Sequence, residues 1–123
     1  MTQRFRLHES IHLEGVPSGA KSQRIAAADA ERQARTAEAI LQRLHEQPGV
    51  VLADEVGMGK TFVALAVATS ITLGDPDRRP VVVMVPPSLI DKWPRDFSYF
   101  ATRCLDPNLA SGVRCRSAAT GVE

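Results

Sequence analysis

The stretch Asp54, Glu55, Val56, Gly57, Met58, Gly59, Lys60 and Thr61 has the residue types and order needed to hold a polyphosphate. Gly57 and Gly59 carry no Cβ, so backbone amides there can close around an anion and adopt conformations that other residues avoid. A helix opening near Lys60 adds the partial positive charge of its N-terminus. The Lys60 ammonium is then placed to reach the β and γ phosphates, and the Thr61 hydroxyl to ligate the Mg²⁺ that accompanies them. A strict form of this phosphate-binding pattern has Gly where Asp54 stands; the Gly-x-Gly-Lys-Thr end is intact. Asp54 and Glu55 also admit a reading as a general-base pair, although their place at the loop entrance suits shaping the loop or lying near the metal.

The elements that must position this loop are legible from apolar spacing. The run Val50-Val51-Leu52-Ala53 reads as a strand delivering the chain to the loop, and Phe62, Val63, Ala64, Leu65, Val67 and Ile71 read as a helix from about 59 to 73, apolar on nearly every side and so expecting burial. Upstream, residues 22–45 are rich in Ala, Arg, Glu and Gln, with Ile25, Ala37, Ile40, Leu41 and Leu44 at a spacing that reads as one or two amphipathic helices, and Pro48-Gly49 ends that region. A polar turn over 74–80 precedes the continuously apolar Val81 to Val85, which reads as a strand covered on both faces. Ser88 and Asp91 then suggest a capping box for a helix carrying Trp93, Phe97, Tyr99 and Phe100, bent by Pro94. Trp93 reads as core.

The stretch LADEVGMGKT resembles motif I of the superfamily 2 helicases, and within them the Swi/Snf-like DNA translocases, which usually carry an acidic pair at the position of Asp54 and Glu55. Pro80 to Trp93 is similar to the motif Ia of that family, a strand running into Pro-x-Ser-Leu and then Trp, and Arg32-Gln33 precedes motif I much as the family's adenine-reading Gln does. The resemblance spans about residues 32 to 100. It implies an α/β fold, an incomplete RecA-like P-loop NTPase lobe with a parallel sheet flanked by helices. It also implies ATP and Mg²⁺ as cofactors, Lys60 as the catalytic residue stabilising charge on the transferring phosphoryl group, and Gln33 as a nucleotide contact. Ser88 and Lys92 become candidates for contact with the backbone of double-stranded DNA. Hydrolysis in this family also uses an Asp-Glu box and arginine fingers from a second lobe. After Thr61 the acidic residues are isolated, so ATP binding without turnover is expected of the chain alone, with the remaining helicase lobes or a partner chain completing it. A non-catalytic nucleotide-binding module and a truncated remnant are the alternatives.

The chain has 123 residues, 44% hydrophobic and 24% charged, with a net charge of +1, which suits a modest α/β core and gives no compositional signal for nucleic acid. Residues 1–21 read as an irregular segment, 22–100 as the partial ATP-binding domain, and 101–123 as a poorly ordered, truncated or divergent tail. If sheet partners are missing, the 50–53 and 81–85 strands must pair with each other or leave open edges, and marginal stability follows. No stretch is apolar enough to span a membrane and no secretory leader is evident, so a cytoplasmic location with free Cys104 and Cys115 is expected.

A rival chemistry comes from His8-Glu9-Ser10-Ile11-His12, which satisfies the zinc-protease pattern His-Glu-x-x-His. On a helix the two imidazoles would share a face and bind Zn²⁺, with Glu9 as general base. Against it, Ser18 stands where one protease group places its third His, and Pro17 and Gly19 favour a loop.

Overall fold

A computed structural model describes residues 5–14, 27–53, 59–110 and 112–117. Their architecture is helical: α1 spans Ala27–Glu46, α2 Lys60–Gly74, α3 Lys92–Cys104 and α4 Pro107–Ala110, with a one-turn 3-10 helix at Pro87–Leu89. This corrects the α/β expectation, because the parallel sheet flanked by helices of a RecA-like P-loop NTPase lobe is absent from the described residues. Their β-type pairing is a single isolated antiparallel bridge between Ile11 and Leu105. Residues 50–53 and 81–85 form no strand. A strand exists only as part of a ladder, and neither segment meets a ladder partner among the described residues.

α1 forms because Ala30, Gln33, Ala37 and Leu41 recur at three- and four-residue spacing and are all buried, leaving a charged outer face. That face carries ion pairs from Asp29 to Arg32 and from Glu31 to Arg35, worth about 0.3–0.5 kcal/mol each when exposed. The helix stops where Pro48 restricts Gln47 and removes a donor. α2 runs apolar around most of its circumference and is covered by α1 on one side and by α3 on another. It ends at Asp75, whose buried carboxylate accepts the Asp77 N–H at 3.2 Å and Arg79 Nε–H at 2.8 Å, closing a turn in which Arg78 takes the left-handed φ of 51°.

α3 is amphipathic. Phe100 and Cys104 are buried, and Trp93, Phe97 and Ala101 pack partly buried against the same core. Pro94 is its third residue, where the backbone N–H has no partner within the helix, so the expected cost of a mid-helix proline does not arise. The expected capping box is not formed either: Ser88 lies inside the 3-10 turn, and Asp91 precedes α3 without a side-chain cap.

The segment 5–14 ties the helices together. The His8 N–H donates to Ser70 Oγ on α2 and the Leu7 N–H to Glu38 Oε2 on α1. The His12 N–H donates to the Cys104 carbonyl at 2.6 Å, and the Asp106 N–H to the Ser10 carbonyl at 3.0 Å. Ile11 and Leu13 thereby enter the core beside Phe100 and Leu105, with Phe62 meeting the Phe100 ring edge-on at a centroid distance of 6.0 Å. None of the described helices is long and apolar enough to cross a membrane.

The stretch Val81 to Val85 stays on the surface, with Val82 77% and Met84 90% exposed. It borders a cavity of about 640 Å³ whose opposite walls include Leu65, Thr69, Trp93 and Phe97. Apolar surface of this kind drives self-association.

Three outcomes follow. Phe100→Ala removes the largest fully buried side chain among the described residues and is expected to cost about 3–5 kcal/mol, read as a lowered denaturant midpoint by far-UV circular dichroism. Burial pushes the Cys104 thiol up to about 11 from 9.0. Between those pH values the unfolded chain has released this proton while the folded chain retains it, so stability declines as pH rises through the window, and Cys104→Ala removes that share of the decline. Replacing both Val82 and Met84 by Lys is expected to leave stability within roughly 0.5 kcal/mol per exposed site while reducing the light-scattering mass at high concentration; an unchanged mass would exonerate the segment.

Candidate nucleotide site

The Lys60–Gly74 helix starts directly after Gly59, which sits in the left-handed region at φ 77°, ψ 28°. A residue with a Cβ is strained there by roughly 1–2 kcal/mol. The Gly59 carbonyl accepts the Val63 N–H at 3.2 Å, which closes the first turn of α2. That turn contains no acidic residue, so its N-terminal dipole presents a field that favours an anion. Lys60 and Thr61, both half-buried, are the first two residues of the helix.

α1 brings a second group to the same place. A Cβ built on Gly59 would lie 2.0 Å from Gln33 Nε2 and 3.1 Å from its Cδ, so the carboxamide is seated against the Gly59 backbone. Gln33 is only 5% exposed, and its Oε1 finds no hydrogen-bond donor among the described residues. An amide oxygen buried in this way costs about 1–3 kcal/mol until it is satisfied. The arrangement is a helix N-terminus with an unmatched acceptor beside it, able to take a ligand that has an anionic end and a donor at some remove.

Of the residues singled out by sequence, Gly59, Lys60, Thr61 and Gln33 are therefore gathered at the junction of α1 and α2. Asp54, Glu55, Val56, Gly57 and Met58 lie outside the described residues. Ser88 and Lys92 belong to a different place, the approach to α3. There Ser88 is exposed and the Lys92 ammonium is ion-paired with Asp96. The His-Glu-x-x-His segment is not helical. Residues 9 and 10 form a turn, Ile11 makes the bridge to Leu105, and the Ser10 N–H donates to His8 Nδ1 at 3.2 Å. Among the described residues no group of three His, Cys, Asp or Glu side chains is placed to hold a metal.

Sequence reasoning missed two polar groups toward the C-terminal end of α2. Ser70, fully buried, receives the His8 N–H, and Asp75 anchors the turn that follows. The Asp75-Pro76-Asp77 cluster carried a signal for the second, since a short acidic side chain before Pro commonly folds back on the next amides. Nothing in the sequence marked Ser70.

Comparison with known proteins bears on the family of the chain. Residues 32–112 match the SNF2-related domain, a span that begins next to Gln33 and ends past α4. Protein CHROMATIN REMODELING 4 of Arabidopsis thaliana is 40% identical over 57 residues, which covers 46% of this chain and 3% of that protein. No solved structure matches the chain. With well over half of its residues in the matched span, the chain belongs to the SNF2-related domain family, a Swi/Snf-like group of superfamily 2 helicases.

Proposed function

We propose that the chain is the Mg·ATP-binding portion of a Swi/Snf-like DNA translocase, and that the nucleotide is held where α1 meets the start of α2. The observation that carries this reading is the buried Gln33 carboxamide, seated against Gly59 with its Oε1 lacking a donor among the described residues. A carboxamide offers one acceptor and two donor hydrogens, the complement of an adenine edge that presents an amino donor beside a ring-nitrogen acceptor. The phosphate end falls to the N-terminus of α2, where Lys60 supplies a point charge and Thr61 a hydroxyl for the divalent ion.

ATP bound there would supply a phosphoryl group for transfer to water. In that chemistry Lys60 holds charge that builds on the phosphate oxygens, Thr61 keeps the cation in register, and Gln33 selects the base. The acidic groups that position water and the arginine fingers belong to further parts of such a motor, so this chain is proposed to bind without turning over. Ser88 and Lys92 remain the proposed duplex-backbone contacts of the motor. Engaging a phosphate through Lys92 requires exchanging its partner Asp96. The similarity to the Arabidopsis chromatin remodelling protein points to chromatin as the proposed setting.

The test is titration of the chain with a fluorescent ATP analogue in the presence of Mg²⁺. Lys60→Ala is expected to weaken binding about tenfold or more, in line with the loss of a charge-assisted phosphate contact worth about 1.5–3 kcal/mol. Gln33→Leu is expected to erase any preference for adenine over guanine nucleotides while leaving pyrophosphate binding unchanged. Equal affinities for wild type and Lys60→Ala would sink the proposal. DNA-stimulated hydrolysis by the chain alone would instead correct the claim that it does not turn ATP over.

A further inference from the structure

The outer face of α3 carries a constellation that the nucleotide site does not use. Arg95, Ser98, Tyr99, Thr102 and Arg103 recur at three- and four-residue spacing and so form one stripe, lining a shallow groove of about 470 Å³. Tyr99 is 58% exposed, and the Arg103 guanidinium carbon lies 5.1 Å from its ring centroid. That cation–π contact steadies the ring and covers part of it. Arg95 is exposed and has no ion-pair partner among the described residues, and the Ser98 hydroxyl is exposed as well. Thr102 donates its hydroxyl to the Ser98 carbonyl at 2.9 Å, making it a spacer rather than a donor to a ligand.

The charges nearby leave the stripe positive. No residue lining the groove is acidic. Asp96 is neutralised by Lys92, Asp91 precedes the helix, and the Asp106 carboxylate beyond its end accepts the Asn108 N–H. A protein-docking hot spot would surround its aromatic anchor with apolar residues that exclude water; here the neighbours are guanidinium and hydroxyl groups. A duplex offers phosphates but keeps its bases stacked, which would leave the ring without a role. An unstacked base between two phosphates uses all of these groups at once.

We propose that the outer face of α3 binds single-stranded nucleic acid, with Tyr99 stacking on a base, Arg95 and Arg103 holding the flanking phosphates, and the Ser98 hydroxyl donating to a phosphate oxygen. This surface lies on a different helix from the α1–α2 junction and acts without bound nucleotide. It therefore stands whether or not that site binds ATP.

Fluorescence anisotropy of a labelled oligo-dT strand with the 123-residue chain tests it, beside a duplex of equal length and a polyglutamate peptide. Tyr99→Ala is expected to weaken single-strand binding about tenfold and Tyr99→Phe by less than about twofold, because stacking needs the ring and not the hydroxyl. Arg95→Gln is expected to reduce the slope of log affinity against log salt by about 0.7, the share of one single-strand phosphate. Unchanged single-strand affinity in Tyr99→Ala overturns the proposal, as does a loss in Tyr99→Ala that is equal for the single strand and the duplex, or tighter binding of the acidic peptide than of the single strand.

Discussion

Everything in this structure answers to the composition of α2. A helix apolar around most of its circumference must be covered on several sides at once, and the covering elements are what define the fold. α1 supplies one wall through Ala30 and Ala37, whose small side chains permit close approach. α3 supplies another through Phe100, and the 5–14 segment closes the seam with Ile11 and Leu13. The remaining side is covered least well. There the Val81 to Val85 stretch stands off across a cavity while presenting its own apolar side chains to solvent.

The same packing sets the chemistry of the α1–α2 junction. Because the two helices lie against each other, a polar residue on the buried face of α1 has no water to turn to, and Gln33 ends against the backbone of the residue that caps α2. A group that is costly to bury is held beside the N-terminus of α2 and its dipole. Preorganisation of this kind lowers the ordering cost of binding, since the acceptor is already immobilised before a ligand arrives.

Helices were legible in the sequence because their signals are local. The apolar spacing and the Pro48 breaker located α1, and α2 at Lys60–Gly74 falls within a residue of the 59–73 expectation. Strand character was not legible in the same sense: Val50 to Ala53 and Val81 to Val85 have strand-like composition, but a ladder depends on a partner that no single segment specifies. Residues 1–21 were read as irregular; among those of them that are described, Ser10, Ile11 and Leu13 are buried. Their contacts are made across the chain to Ser70 and Cys104, beyond the reach of any spacing rule. At the site, the loop glycine and the Lys-Thr pair announced themselves by type. Gln33 came from resemblance, because a lone Gln in a helix looks like a solvated residue until its burial is known.

The contact between Gln33 and Gly59 makes these two positions genetically interdependent. Enlarging residue 59 incurs two separable penalties, a collision with the Gln33 amide and the strain of a left-handed backbone. Shortening residue 33 relieves the first and leaves the second untouched. Substitutions at the pair are therefore non-additive in a directed way, with the tolerance of position 59 set in part by what occupies position 33, 26 residues earlier in the chain.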